Sequence, residues 1–75
     1  MPIPFYMLIR TKINFSRDVV HASLRIPGVK VSHSVMGNYD VILYAEGDSI
    51  EDVRRIRNAV HEIEGVTLTE TCVHA

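Results

Sequence analysis

The chain has 75 residues, a formal net charge of −1 and a 47% hydrophobic fraction, which together predict one globular domain over residues 1–75. The near-neutral charge provides no basic patch, so direct nucleic-acid binding is not expected. The apolar run over residues 2–9 is too short to cross a membrane and lacks the flanks of a signal peptide. A single cysteine, Cys72, excludes an internal disulfide, and we expect a cytoplasmic protein.

The predicted elements follow the hydrophobic pattern along the chain. Aromatic and β-branched residues predict a strand over 4–13, and helical spacing predicts a helix over 17–26 after turn and cap residues Asn14 and Ser16. A hairpin is predicted with strands near 29–36 and 40–46. An amphipathic helix then begins after Asp48 or Ser49 and is followed, beyond Gly65, by a last strand over 66–73. The order βαββαβ predicts an α+β, ferredoxin-like fold with a four-stranded antiparallel sheet.

Asn38-Tyr39-Asp40, directly after Gly37, forms the predicted hairpin turn between two apolar runs. Glycine tolerates positive φ, and Asn and Asp hydrogen-bond their own backbone in turns. The polar turn between apolar strands suggests that a ligand or partner lies against it. Asp40 has two interpretations of equal weight, a turn cap or an acceptor for a ligand ammonium group.

Alternation in the first and third predicted strands places apolar side chains on both faces of the sheet. Phe5, Met7 and Ile9 point one way, and Tyr6 and Leu8 point the other. Two helices cover only one face of a four-stranded sheet. We therefore expect a homodimer in which two sheets pack face to face.

No catalytic residue, metal site or cofactor is predicted. The four histidines do not have the spacing of paired metal ligands, and Cys72 is expected to be an inert strand residue. These histidines are His21, His33, His61 and His74.

Threonines recur at every second position of the last strand, at Thr67, Thr69 and Thr71. This pattern suits a strand by propensity alone, and a column of hydroxyls also suits a carboxylate ligand. The arginines of the second helix, Arg54, Arg55 and Arg57, are mixed with acidic residues and are expected to be a solvated surface.

Three segments together resemble the effector-binding and oligomerisation (RAM) domain of Lrp/AsnC-type transcription regulators. The first is Ile26-Pro27-Gly28-Val29, and the second is residues 35–43 around Gly37-Asn38-Tyr39-Asp40. The third is Ile63-Glu64-Gly65-Val66 followed by Thr69-Glu70-Thr71. The resemblance covers nearly the whole chain.

The resemblance implies a dimeric α/β sandwich or barrel that assembles further into a tetramer, octamer or larger ring. It implies a module that binds a free amino acid and is linked to the transcriptional regulation of amino-acid metabolism. The binding residues it implies are Gly37, Asn38, Tyr39, Asp40, Thr69 and Thr71. The family's regulators carry an N-terminal helix-turn-helix. This sequence starts at the first strand, so a stand-alone version that does not contact DNA directly is expected.

Two alternatives remain open at the level of sequence. Small dimeric α/β-barrel monooxygenases and isomerases share the predicted topology, so fold alone does not separate them from a binding module. Such enzymes need a roomy pocket between sheet and helices, whereas the helix faces here are filled with Val, Ile and Leu. The other alternative is a ligand-free structural partner that assembles with full-length Lrp/AsnC-type regulators.

Overall fold

The computed structural model describes residues 1–75 and contains four strands and two helices in the order βαββαβ. The elements are β1 (Ile3–Thr11), α1 (Ser16–Ser23), β2 (Val29–Ser34), β3 (Val41–Gly47), α2 (Ile50–His61) and β4 (Val66–Val73). The strands form one sheet in the order β2-β3-β1-β4, and all neighbouring pairs are antiparallel. The predicted ferredoxin-like α+β fold is confirmed. No helix is long and apolar enough to cross a lipid bilayer.

The core lies between the helices and one face of the sheet. Phe5, Met7 and Ile9 of β1 are completely buried, as are Val41 and Leu43 of β3. The helices complete this core with Val19 from α1 and with Val53, Ile56 and Val60 from α2. The predicted alternation in β1 and β3 is therefore confirmed, because every second side chain points under the helices.

Both helices end in the same way, as the matching Ile-x-Gly-Val segments suggest. After α1, the Val29 amide donates to the Ile26 carbonyl at 3.1 Å, and after α2 the Val66 amide donates to the Ile63 carbonyl at 3.2 Å. The intervening glycine has a φ of +103° in the first segment and +95° in the second. Glycine adopts this region without the steric cost of a Cβ atom, so each helix returns abruptly into the sheet.

The helix starts differ from one another. Helix α2 has the predicted cap, since the Ser49 hydroxyl accepts from the Asp52 amide at 3.1 Å. Helix α1 has no side-chain cap, and it begins at Ser16 and ends at Ser23, three residues before the predicted end. It ends early because the amides of Arg25 and Ile26 bond to carbonyls three residues back, in tighter turns.

The connection between β2 and β3 is longer than predicted. Strand β2 ends at Ser34 and β3 begins at Val41, which leaves a six-residue β2–β3 loop over residues 35–40. The Val35 amide donates to the Asp40 carbonyl at 2.9 Å and closes this loop. The prediction of a tight turn with self-bonding Asn and Asp side chains is therefore wrong, because the loop bonds to β1 instead.

The face of the sheet opposite the helices is uncovered within the chain. We call it the open face, and its apolar members are Tyr6, Leu8, Val31, Ile42, Tyr44 and Leu68. The rings of Tyr6 and Tyr44 lie 5.2 Å apart at their centroids near its middle. Tyr6 is 46% exposed, and Val31 and Leu68 are each 44% exposed. The open face thus has apolar side chains on all four strands, with the charged residues Arg10, Glu46 and Glu70 among them.

Candidate functional site

The β2–β3 loop is held against β1 and β4 by polar contacts. The Arg10 Nε donates to the Asn38 carbonyl at 2.7 Å, and the Arg10 guanidinium lies 5.8 Å from the centroid of the Tyr39 ring. The Tyr39 hydroxyl donates to Glu70 Oε2 at 2.6 Å. This hydrogen bond to Glu70 raises the pKa of Tyr39, because the phenol proton is bound to a carboxylate. These contacts hold the loop against β1 and β4.

Asp40 stabilises the strand beside it. Its carboxylate oxygen Oδ2 accepts from the Thr11 amide at 2.8 Å, and its own amide donates to the Ile9 carbonyl at 2.9 Å. The pairing of β1 with β3 ends at Ile9 and Val41, so the Thr11 amide on that side of β1 would otherwise lack a strand partner. Asp40 thus has a capping contact, but on a neighbouring strand and not in its own turn.

Gly37 lies at the exposed tip of the loop with a φ of +133°. A Cβ atom built at this position meets no atom of the chain within 4 Å. The need for glycine here is therefore conformational, and any close approach would have to come from another copy or a ligand.

Thr69 and Thr71 lie on the helix side of the sheet. They pair in register with the core residues Ile9 and Met7 of β1, so their hydroxyls point under α2. Thr67 differs from them, because its hydroxyl donates to the Arg10 carbonyl at 3.2 Å. The predicted column of three hydroxyls is thus reduced to two.

A cavity of about 410 Å³ opens between α2 and β4. We call it the α2–β4 groove, and its lining residues are Arg57, Asn58, His61, Thr69 and Thr71. All five side chains are polar, and two of them are bases. The Arg57 Nη2 donates to Asn58 Oδ1 at 3.2 Å, and His61 Nδ1 lies 3.3 Å from the Thr69 hydroxyl oxygen. The groove offers hydrogen-bond donors and positive charge, which suit an anionic group.

The six predicted binding residues fall into two groups within one chain. Gly37, Asn38, Tyr39 and Asp40 lie on the β2–β3 loop, where Tyr39 contacts Glu70 of the open face. Thr69 and Thr71 lie in the α2–β4 groove on the other side of the sheet. No group of three or more His, Cys, Asp or Glu side chains gathers anywhere in the chain.

Sequence reasoning misses the three groove residues on α2. The helical pattern places Arg57 and His61 among solvent-exposed helix residues, and Asn58 attracts no interpretation. Their spacing does place Arg57 and His61 one helical turn apart on the same face. This face adjoins the threonine hydroxyls only because β4 lies at the sheet edge beneath α2.

No family model matches the chain, but one curated relative does. The chain is 31% identical over 49 residues to the HTH-type transcriptional regulator LysM from Saccharolobus solfataricus. The match covers 65% of this chain and spans about a third, 34%, of the length of LysM.

Solved structures match over almost the whole chain. TTHA0845 from Thermus thermophilus has a TM-score of 0.91 at 27% identity, covering 97% of this chain and 92% of its own. PHS023 from Pyrococcus horikoshii has a TM-score of 0.88 at 26% identity, covering 97% and 89% respectively. Escherichia coli AsnC is only 16% identical and shows the fold alone, with a TM-score of 0.86 over 96% of this chain and 50% of AsnC.

The domain has the RAM-type fold of Lrp/AsnC regulators. A transcriptional regulator from Neisseria meningitidis, NMB0573, solved as a complex with L-Met, shares this fold at 14% identity and a TM-score of 0.82, covering 97% of this chain and 49% of its own. LysM and NMB0573 are both transcriptional regulators. The interior of this RAM-type domain is filled by its hydrophobic core, and the one cavity it has is the polar groove at the sheet edge.

Proposed function

We propose that this RAM-type domain is an amino-acid-binding and oligomerisation module in the transcriptional regulation of amino-acid metabolism. In this proposal it works in the cytoplasm, without contacting DNA itself. It forms a homodimer through the open face, and dimers assemble further into a tetramer, octamer or larger ring. Full-length Lrp/AsnC-type regulators are candidate partners in the same assembly. The observation that carries the proposal is the uncovered apolar face of a domain whose relatives are regulators.

The open face favours association because its apolar side chains stay partly exposed to water within one chain. Tyr6 remains 46% exposed, although its ring lies at a tilt against that of Tyr44. Complete burial of one large apolar side chain contributes about 1.5–3 kcal/mol. Several such side chains on one face provide a driving force for dimerisation that a chain of 75 residues needs, since its own core is small.

The division of the predicted residues between two places supports a ligand position between copies. A ligand that contacts both the β2–β3 loop and the hydroxyls of Thr69 and Thr71 requires the loop of one copy and the groove of another. In this arrangement the ligand ammonium lies near Asp40. Its carboxylate lies near the amides of Asn38 and Tyr39 and near the two threonine hydroxyls. The L-Met complex of NMB0573 supports an amino acid as the class of ligand.

The dimer is tested with two neighbouring substitutions in β3. Leu43 is completely buried in the core, so Leu43→Asp should unfold the chain by placing an unpaired charge there. Tyr44 lies on the open face, so Tyr44→Asp should leave the chain folded and shift it from dimer to monomer. Light scattering and circular dichroism measure both outcomes. A wild-type chain that is a stable, folded monomer at micromolar concentration would contradict the dimer.

The ligand is tested by native mass spectrometry with and without a pool of the twenty amino acids. This measurement reports the mass of the assembly and of the bound ligand together. The matched variant is Asp40→Asn, because asparagine keeps an oxygen that can accept from the Thr11 amide and removes only the charge. Charge-assisted hydrogen bonds contribute about 1.5–3 kcal/mol, so affinity should fall about tenfold or more. If no amino acid binds, the ligand-free structural partner replaces this proposal.

A further inference from the structure

The α2–β4 groove has a chemical preference of its own. Its lining contains no hydrophobic side chain, and its basic members are a guanidinium and an imidazole. We infer that this groove binds a carboxylate, and that the effector of this domain is therefore an acidic amino acid whose side-chain carboxylate contacts Arg57 and His61. The identity of the ligand as an amino acid rests on the proposed function, whereas the carboxylate preference rests on the groove alone.

Arg57 is available for an anionic ligand. The one ion pair in the chain joins Arg55 to Asp52 on another part of α2, so Arg57 has no carboxylate partner. Its Nη2 donates to Asn58 Oδ1, which leaves the remaining guanidinium donors and both Asn58 amide hydrogens without a protein acceptor. Arg57 and Asn58 thus both present hydrogen-bond donors to the groove. The planar guanidinium of Arg57 has the paired N–H geometry that binds a carboxylate.

His61 and Thr69 change their hydrogen-bonding roles together. When the imidazole is neutral with its proton on Nε2, Nδ1 accepts the proton of the Thr69 hydroxyl. When the imidazole is protonated, Nδ1 donates to the Thr69 oxygen, and the hydroxyl proton becomes free to bond to a ligand. Protonation therefore adds both a positive charge and a donor to the groove.

The ionisable side chains around the groove also favour an anionic ligand there. Arg57 is the only other ionisable side chain in the groove, and β4 contributes only the hydroxyls of Thr69 and Thr71. His61 is the last residue of α2, where the helix dipole favours a cation. Glu62 and Glu64 follow directly along the chain and are exposed, and the side chain of Glu70 lies on the open face.

An aliphatic amino acid gains little from this groove. The cavity of about 410 Å³ is large enough for a small side chain, but no hydrophobic side chain lines it. A neutral polar side chain such as that of glutamine matches the shape of glutamate but leaves the two bases without an anion. The comparison of glutamate with glutamine thus isolates the charge, while the comparison with leucine isolates polarity.

The test is isothermal titration calorimetry of the whole assembly with L-glutamate, L-glutamine, L-leucine and glutarate. We expect glutamate to bind at least tenfold more tightly than glutamine or leucine. Arg57→Gln should abolish this preference, whereas Arg54→Gln, an exposed arginine of α2 outside the groove, should leave it unchanged. His61→Gln should also weaken glutamate binding, because the groove then loses one of its two basic side chains.

The possible results separate this inference from the proposed function. If leucine or glutamine binds as tightly as glutamate, the inference is overturned and the amino-acid module remains. If glutarate binds in an Arg57-dependent manner and no amino acid does, the carboxylate groove stands and the proposed effector class fails. If neither glutarate nor any of the amino acids binds, both are overturned. Light scattering on Arg57→Gln and His61→Gln establishes that the variants still fold and assemble.

Discussion

The two glycines with the largest positive φ angles differ in their surroundings and so provide a matched test of the fold. Gly28 has a φ of +103° and Gly37 a φ of +133°, so alanine is strained at both. A Cβ atom at Gly28 would lie 2.6 Å from Ile56 Cδ1 and 2.9 Å from the Glu46 carbonyl oxygen. At Gly37 it would meet nothing within 4 Å. Gly28→Ala therefore adds a steric clash to the same type of backbone strain.

The expected magnitudes follow from these distances. Backbone strain of this kind costs about 1–3 kcal/mol, which is the whole effect expected for Gly37→Ala. Gly28→Ala adds a further cost of about 1–3 kcal/mol from overpacking, because the Ile56 side chain can shift but the Glu46 carbonyl belongs to a strand. The sum of about 2–6 kcal/mol is a large part of the roughly 4–11 kcal/mol expected for a domain of this length.

Urea denaturation followed by far-UV circular dichroism, at one fixed protein concentration, measures both variants against the wild type. We expect Gly28→Ala to lower the free energy of unfolding more than Gly37→Ala, and its melting temperature to fall by about 4–8 °C for each additional kcal/mol. Equal losses, or a larger loss for Gly37→Ala, would refute the packing argument. The second result would instead indicate that another copy contacts the loop tip.

Three further predictions concern single hydrogen bonds. Ser23→Ala should cost about 1–3 kcal/mol in urea denaturation and Ser32→Ala clearly less. The Ser23 hydroxyl also bonds to a helix carbonyl, whereas Ser32 has only the Ser23 oxygen, 2.8 Å away. Ser49→Ala should lower the thermal stability by about 1 kcal/mol through loss of the α2 cap, and an unchanged melt would contradict that cap. Because the bond to Glu70 raises the pKa of Tyr39, its stabilising effect should be present below pH 10 and lost as the phenol ionises at higher pH. Ultraviolet absorbance titration should show Glu70→Gln lowering this pKa, and no change would contradict the bond.

The sequence predicts the elements well where local signals agree. The bounds of β4 at Val66 and Val73 and the Ser49 cap of α2 are confirmed, because glycine, cap and β-branched residues all indicate the same limits. The early end of α1 is not predictable from spacing, since Leu24 and Ile26 continue the apolar pattern in tighter turns.

The candidate site is only partly accessible to sequence reasoning. The β2–β3 loop is recognisable, but its bonds to Arg10 and Glu70 join residues about thirty positions apart, which no local pattern reports. The groove is missed for a related reason. Arg57 and His61 line a groove only together with Thr69 and Thr71. The antiparallel pairing of β1 and β4 brings these two threonines under α2.

The antiparallel pairing of the first and last strands also brings the two ends of the chain together. The His74 amide donates to the Pro4 carbonyl at 3.0 Å, and Phe5 pairs with Val73. A short linker between Ala75 and Met1, with new ends opened in the β2–β3 loop, should therefore give a circular permutant that keeps every strand pair. Such a permutant would retain the sheet and the groove while releasing the loop. Folding and ligand recognition, which the natural connectivity combines in one chain, could then be measured separately.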